Sequence, residues 1–528
     1  MALLSFATLA YAVPLCIFYY AVAYYLGRHR LQRFAKANNA TFPKHVSSNI
    51  PFGIGFLWRI LENGKNGGDL IDDIFEKDYQ TNGPTYTMPG FFSRRTLHTV
   101  EPANIQAILA TKFKDFDLGE LRIEQFRPLL GTSIFTADGP FWEHSRAMFR
   151  PQFSRDNIND LQKTELAVQS LFKAMQLSGK QSDGAVEIDI MPLLFRFTLD
   201  TATGFLFGES VESQMAAATG KTSETSAATA MAADQDDSDM TFAEAFHEAQ
   251  MWITLRVRFQ GLYWLAPVKR GQKAVDYMRK YVSHYVKLAL SSAKPSSEKY
   301  SLIDALVEQT RDQYELRDQI LGLLLAGRDT TATLLSWVLL LIAQHPDVFE
   351  KLRESVINDF GPYSDDASHI NFATLKDSQY LQFVLRETMR IYNPVPMNLR
   401  KAVRDTVLPR GGGPDGLSPI VVPKGQTVNF APYVLHRRQD IWSSDALEFK
   451  PERWEGMRLD WNYIPFSGGP RICIGQQFAL TEAAFLLVRL LQKFDKMDWV
   501  GRQGKPRKDV HFTMAPRDGV PVKLRYAN

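Results

Sequence analysis

Cysteine is nearly missing from this chain: Cys16 and Cys473 are the two in 528 residues, one in an apolar N-terminal run and one in a glycine-rich loop near the other end. A disulfide between such different contexts is not expected, and the folded part belongs to a reducing compartment. A surplus of one charge is missing too. The 61 basic and 58 acidic residues leave a net charge of +3, so the basic excess of a polyanion binder is absent and nucleic acid is not an expected partner. Charged side chains are lacking altogether from Leu3 to Leu26, a run long enough to span a bilayer. Arg28, His29, Arg30, Arg33 and Lys36 follow directly, so the positive-inside rule sets the chain after the span on the cytosolic side. A cleaved signal peptide would instead show a shorter apolar core, a basic N-terminal side and a small-residue cleavage site.

What remains is 45% hydrophobic and 12% aromatic, suited to a large apolar interior. The sequence divides into a transmembrane anchor over 1–26, a basic linker with Pro43 over 27–51, and a globular domain over 52–528. Within that domain, residues 211–240 are rich in Ala, Thr and Ser and end on an acidic cluster from Asp234 to Asp239, which predicts a flexible insertion.

The stretch from Phe466 to Gly475 reads FSGGPRICIG and leads into an apolar run at helical spacing from Gln476 to Phe494. Cys473 thus stands at a helix entrance, where unpaired N–H groups and the helix dipole stabilise a thiolate, and a thiolate is a metal ligand. Gly468, Gly469 and Gly475 remove side chains where a flat cofactor would approach the backbone. Arg471 can reach an anionic edge of such a cofactor, and Phe466 can cover the sulfur. A lone cysteine in a glycine-rich turn is more often a buried structural residue, but the complete spacing F-x-x-G-x-R-x-C-x-G favours ligation.

With that spacing the loop resembles the haem-ligand loop of the cytochrome P450 family, the haem-thiolate monooxygenases. The resemblance implies a mainly α fold with a small β-rich lobe, and haem b with Cys473 as the axial ligand of its iron. Other stretches can be set beside it. Trp142 and Arg146 are four apart on a helical run and make either a Trp–Arg stacking contact or a carboxylate clamp; in the family such a pair binds a haem propionate. Arg400 is a second propionate contact by resemblance. The long apolar segment around 313–345 carries one polar knot, Gly327-Arg328-Asp329-Thr330-Thr331. Two charges in mid-run argue against a second membrane span, and Asp or Thr there can bend a helix. Cleaving O2 requires two protons at a dry site, which gives Asp329 a role in passing protons and Thr330 one in hydrogen bonding the oxygen. Ala326-Gly327-x-Asp329-Thr330-Thr331 matches the family's oxygen-activation motif. Ala326 stands where the animal ω-hydroxylases often carry a Glu that esterifies the haem. Glu387 and Arg390, three apart, are by themselves a common surface pair; the resemblance joins them with Arg453 into a structural triad.

Three stretches, His144–Phe153, Leu408–Gly416 and Gly475–Glu482, look like the fungal alkane- and fatty-acid-hydroxylating subfamily. The expected reaction is therefore insertion of one oxygen atom from O2 into a C–H bond of an apolar small molecule, at or near the end of a long aliphatic chain. Since the chain has no room for a flavin or nicotinamide domain, its electrons are expected from NADPH through a separate NADPH–cytochrome P450 reductase. Membrane lipid is a further expected contact, at the endoplasmic reticulum. The aromatic run from Phe242 to Tyr263 reads either as a core helix or, as the resemblance implies, as the roof of the substrate pocket, and Val395, Met397 and Phe512-Thr513-Met514 are candidates for narrowing that pocket. Rival readings are a tailoring oxidase of secondary metabolism, an isomerase or dehydratase, against which Asp329 and Thr330 weigh, and a non-catalytic haem-binding membrane protein.

Overall fold

The structure, a computed structural model, describes residues 6–47, 53–90, 95–154, 161–182, 184–220, 240–291 and 301–527. In chain order its longer elements are helices α1 (Phe6–Ala37) and α2 (Ile54–Lys65), strands β1 (Thr85–Pro89), β2 (Arg95–Thr99) and β3 (Phe116–Asp117), and helices α3 (Glu120–Leu130), α4 (Gly139–Phe149) and α5 (Gln162–Ser178). Strands β4 (Lys180–Ser182) and β5 (Ala185–Asp189) follow, then helices α6 (Met191–Phe207), α7 (Phe242–Arg258), α8 (Lys269–Ser291), α9 (Gln313–Gln344), α10 (Pro346–Phe360) and α11 (Gln379–Ile391). The last third holds β6 (Asn398–Ala402), β7 (Thr406–Gly412), β8 (Ser418–Val422), β9 (Thr427–Phe430), α12 (Gln476–Lys493), β10 (Phe494–Trp499), β11 (Lys508–Val510), β12 (Met514–Pro516) and β13 (Pro521–Tyr526).

These elements form two units. The smaller comprises Met1–Leu57, Lys77–Asp117 and Leu399–Phe430 and is built on a five-stranded sheet in the order β1-β2-β9-β6-β3, beside the β7–β8 hairpin. Thr85 pairs with Thr99 across β1 and β2, and β9 joins β2 in parallel through Leu97 and Val428. Helix α1 continues past Leu26 through the basic stretch to Ala37. Its C-terminal turns belong to this unit's core, with Leu31, Phe34 and Ala35 packed on Val407 and Val421, and Arg30 ion-paired to Asp405 at 3.0 Å. From Tyr11 to Leu26 the same helix exposes large apolar side chains; Leu3 to Ser5 lie outside the described residues.

The larger unit is helical, with the antiparallel sheet β10-β13-β5-β4 and the β11–β12 hairpin at its margins. Its axis is α9, which Asp312 caps by accepting from the N–H groups of Tyr314 and Glu315 and which ends before His345-Pro346. From Asp318 to Ala343 every residue of α9 is buried except Leu325, Ala326, Gly327 and Thr330. Among the described residues α9 alone is long and apolar enough to cross a membrane, yet it is mostly buried in protein, as its charged knot predicts. Thr330 Oγ1 donates to the Ala326 carbonyl at 2.7 Å, the expected back-bond, but the helix runs unbroken through it.

The Glu387–Arg390 pair lies in this core, not on a surface. Arg390 Nε and Nη2 each donate to the Glu387 carboxylate at 2.8 Å, and both side chains are fully buried. Arg453 Nε reaches the same carboxylate at 3.3 Å and also pairs with Asp445 at 2.7 Å. Within the expected flexible insertion at 211–240, Ser213–Thr219 is helical, with Val211 and Gln214 buried. Residues 221–239 lie outside the described residues.

Candidate active site at the cysteine loop

The loop before α12 is tight. Ser467 and Gly469 have φ of 64° and 65°, left-handed values that cost a non-glycine residue about 1 kcal/mol. Phe466 contributes its backbone, its carbonyl accepting from the Cys473 N–H at 3.0 Å. Gly468 serves a neighbour rather than a cofactor, since a Cβ there would lie 2.6 Å from the Trp461 ring. Protein surrounds the Cys473 sulfur, but its side chain is open to a cavity of about 490 Å³ lined by Trp142, Arg146, Arg150, Phe153, Gly469 and Pro470. Burial pushes its thiol pKa up, while a hydrogen bond from Gly475 and the charge of Arg146 oppose that rise.

Helix α4 brings Trp142 and Arg146 to this cavity. Arg146 Nη1 donates to the Ile472 carbonyl at 3.0 Å, tying the helix to the loop. Arg471 lies 4.3 Å from the Trp142 ring centroid and Arg146 lies 6.0 Å from it, so the indole is held by two guanidinium groups. Sequence reasoning missed Asp138, the residue before α4. Its carboxylate accepts from Arg471 at 2.6 Å and from the Leu118 N–H at 3.2 Å, and the Asp-Gly-Pro helix start was the available signal. Arg122 on α3 was also missed. It is half-buried and donates to Asn398 at 2.9 Å, and its buried Nε has no hydrogen-bond partner. Burial and the nearby Arg471 push its pKa down to about 10, with Asp138 opposing. Arg400 belongs to the smaller unit, where it donates to the Leu399 carbonyl at 2.7 Å and lies 5.8 Å from the Phe430 ring.

Asp329 is buried and pinned. It accepts from Gln250 of α7 at 2.6 Å and from Arg328 at 3.1 Å. Burial raises its pKa, against Arg328, Gln250 and His247. Arg328 itself is clasped between the Phe195 and Phe246 rings at 5.3 and 5.0 Å. Gln250 had no sequence signal, because a glutamine on an amphipathic helix is ordinary.

The aromatic residues of α7 divide differently from expectation. Phe242 packs on Tyr281 of α8 at 4.2 Å, and Trp252 fills the space left by Gly271, where a Cβ would lie 2.2 Å from its ring. Both are core residues, and so is Phe246, fully buried against Arg328. In the β11–β12 turn, Thr513 bonds to Thr333 at 3.0 Å and Met514 is fully buried. Phe512 meets Phe126 of α3, with centroids 5.3 Å apart.

These residues fit a haem. Cys473 is one soft donor on the cavity, with the cations Arg146 and Arg150 and the indole of Trp142 in the same lining. Among the described residues no group of three or more His, Cys, Asp or Glu could hold a metal ion. Comparison with known proteins agrees, since the family model described as Cytochrome P450 matches residues 53–518. The chain belongs to the cytochrome P450 family. It is 42% identical to Cytochrome P450 52A5 of Candida maltosa over 97% of this chain and 96% of that one. It is also 42% identical to Cytochrome P450 monooxygenase g430 of Fusarium sp over 94% of this chain and 86% of that one. The crystal structure of the cytochrome P450DA heme domain superposes with a TM-score of 0.72 at 20% identity, covering 93% of this chain and 98% of that one, a likeness of fold. As a cytochrome P450 the protein is a monooxygenase with a haem-thiolate cofactor and a mainly α fold bearing small sheets.

Proposed function

We propose that this cytochrome P450 hydroxylates a long aliphatic chain, an alkane or a fatty acid, at or near its methyl end. The reading rests chiefly on the likeness to the 52A relatives over nearly the whole chain, joined to the subfamily-like stretches of the sequence. Bound haem supplies O2 activation, with Cys473 as its thiolate ligand. Gly475 N–H and Arg146 hold the negative charge of the sulfur; Arg146, Arg471 and Arg122 form the cationic side suited to the anionic edge, with the Trp142 indole between Arg146 and Arg471. Asp329 moves protons toward Thr330, and its bond to Gln250 makes α7 the gate of that path. Glu387, Arg390 and Arg453 hold the core. Each methylene removed from water contributes about 0.8 kcal/mol, so a chain of about a dozen carbons binds through apolar contact alone.

Electrons come from NADPH through a separate cytochrome P450 reductase, and α1 anchors the enzyme in the endoplasmic reticulum membrane with its catalytic part in the cytosol. The exposed apolar side chains from Tyr11 to Leu26 support the anchor. A second reading is oxidation of a secondary metabolite; the Fusarium monooxygenase, equal in identity, carries no 52A designation in its name. The test supplies dodecane, lauric acid and polyketide-like acids with reductase, NADPH and labelled O2, and locates the incorporated oxygen by mass spectrometry. Label at or near the methyl end of either aliphatic chain supports the first reading; turnover of the polyketide-like acids alone rejects it for the second.

A further inference from the structure

An alkane and a fatty acid of equal length differ at one end, where the acid carries a negative charge. The contact between Phe126 and Phe512 has a positive charge at its solvent side. Arg258, the last residue of α7, is exposed, and its Nη2 donates to the Val510 carbonyl at 2.8 Å, at the root of the β11–β12 turn. Two residues further on, Phe512 is half-buried against the half-buried Phe126. Thr513 and Met514 come next and are buried, with Thr513 bonded to Thr333 of α9 at 3.0 Å. Thr333 follows Thr330 by three residues and shares its side of the helix. Along this turn the surroundings therefore pass from solvent at Arg258 to the interior at the helix that carries Thr330.

Among the described residues Arg258 has no carboxylate within ion-pair distance, and the acid on the neighbouring strand, Asp509, pairs instead with His511 at 3.0 Å. Other cations of this region are engaged. Arg256 donates to the Gln125 and Glu124 carbonyls at 3.0 and 2.9 Å and lies against the Trp252 and Tyr263 rings. Lys508 is held by Asp69 and Asp72 at 2.9 and 2.7 Å. Arg122, 5.5 Å from the Phe126 ring centroid, belongs to the side suited to the haem's anionic edge. One turn before Arg258, on the same face of α7, Thr254 is 6% exposed and its buried Oγ1 has no hydrogen-bond partner. Long side chains on a helix lean back toward its N-terminus, so the stem of Arg258 covers the turn that holds Thr254. A buried hydroxyl left unpaired is costly, and an oxygen of a ligand would satisfy it.

We propose that Arg258 is a specificity-determining residue: its guanidinium, with the Thr254 hydroxyl beneath it, takes the carboxylate of a fatty acid whose chain runs along Phe126 and Phe512 toward Thr330. The inference rests on the aliphatic-chain reading above and selects the acid over the alkane. One donor of the guanidinium is used by Val510, and the rest of its planar fork remains for a carboxylate. The scale agrees. Gln250 bonds Asp329, beside Thr330, and Arg258 stands eight residues further along α7, about 12 Å of helix. An extended chain of about eleven C–C bonds, each about 1.5 Å, covers that distance. Fixing the carboxylate at the solvent side sends the methyl end inward, which favours attack there although a primary C–H bond is the stronger one. An alkane has no such anchor and can slide.

The test uses the full-length holoprotein in detergent, as wild type and as the Arg258→Ala, Arg258→Lys and Thr254→Val variants. Dissociation constants for laurate, methyl laurate and dodecane are read from the substrate-induced Soret shift, and the site of hydroxylation from mass spectrometry of the products formed with reductase and NADPH. Wild type should bind laurate more tightly than its uncharged methyl ester. Arg258→Ala should raise the laurate constant relative to that of dodecane by on the order of tenfold and spread laurate hydroxylation inward from the methyl end. Arg258→Lys, which keeps the charge without the fork, should recover part of both. Thr254→Val should move the laurate-to-dodecane ratio the same way by less. An unmoved ratio in Arg258→Ala or in Thr254→Val, or equal wild-type affinity for laurate and its ester, overturns the inference while the aliphatic-chain reading stands. A wild type that neither binds nor hydroxylates any of the three overturns that reading, and the inference with it.

Discussion

Replacing Glu387 with Ala removes the acceptor at the centre of the buried polar cluster. Its two oxygens take both bonds from Arg390, one from Arg453, one from Trp454 Nε1 at 3.0 Å and one from the Lys450 N–H at 3.1 Å. Arg390 would keep its bonds to the carbonyls of His436, Ala446 and Glu448, but its charge would stand in a dry interior without a counter-ion. Removing one member of a buried ion pair costs about 3–5 kcal/mol, and each orphaned N–H adds about 1 kcal/mol or more. An exposed i,i+3 pair is worth only about 0.2–0.5 kcal/mol, so the measurement separates the two readings by roughly tenfold. Glu387→Gln keeps one acceptor oxygen and should cost less than the Ala variant. Urea unfolding followed by Soret absorbance and tryptophan fluorescence reports both the loss and any drop in haem occupancy. A cost below about 1 kcal/mol for Glu387→Ala, with full haem content, refutes the structural role.

Cys473→Ser should abolish oxygenation and remove the red-shifted Soret band of the reduced carbonyl complex; a retained band shows that another residue ligates the iron. Thr330→Ala should leave haem and substrate spectra nearly unchanged while product per NADPH falls and peroxide rises, and unchanged coupling counts against Thr330. Gln250→Leu removes a bond that lowers the Asp329 pKa, so the limb of the pH–kcat profile that needs ionised Asp329 should move to higher pH; a limb that stays in place separates Asp329 from proton transfer. Deleting residues 1–26 should release the protein from membranes with its stability nearly intact. Deleting 1–35 also removes Leu31, Phe34, Ala35 and the Arg30–Asp405 pair, and should lower Tm by several degrees; equal Tm values for the two truncations show that the end of α1 contributes nothing.

Those parts of the fold and site whose physics is local were legible in the sequence. The cysteine loop, the knot in α9 and the Glu387–Arg390 spacing each carry their chemistry within ten residues. Partners from distant segments were not legible. Asp138 meets Arg471, and Gln250 meets Asp329, only because two helices pack together, and nothing in either local pattern selects the other. Burial was not legible in the spacing either: Glu387 and Arg390 taken alone fit a surface pair, and only the resemblance made them part of a structural triad. The basic stretch after Leu26 read as a linker because its charges dominate the pattern, yet Leu31, Phe34 and Ala35 are spaced to bury one helical face.

The aromatic residues of α7 show how far an apolar pattern can direct a search for substrate contacts. A helix that covers a pocket and a helix that seals a core both require large apolar residues three and four apart, so periodicity alone favours neither. Tyr281 and Gly271 on α8 decide it: a close ring partner and a missing Cβ draw Phe242 and Trp252 into the α7–α8 interface. Toward Asp329 the same helix presents polar groups, Gln250 by a hydrogen bond and His247 by its charge. Apolar contacts for a substrate are then sought where elements remote in sequence converge, as Phe126 and Phe512 do from α3 and the β11–β12 turn. The turn's position is itself fixed by Thr333 and Trp337 of α9, through Thr513 and the Met514 carbonyl. The helix that carries Thr330 therefore also positions an apolar wall, so the two cannot move independently. A change at Thr333 or Trp337 therefore disturbs the turn and the helix that carries Thr330 together.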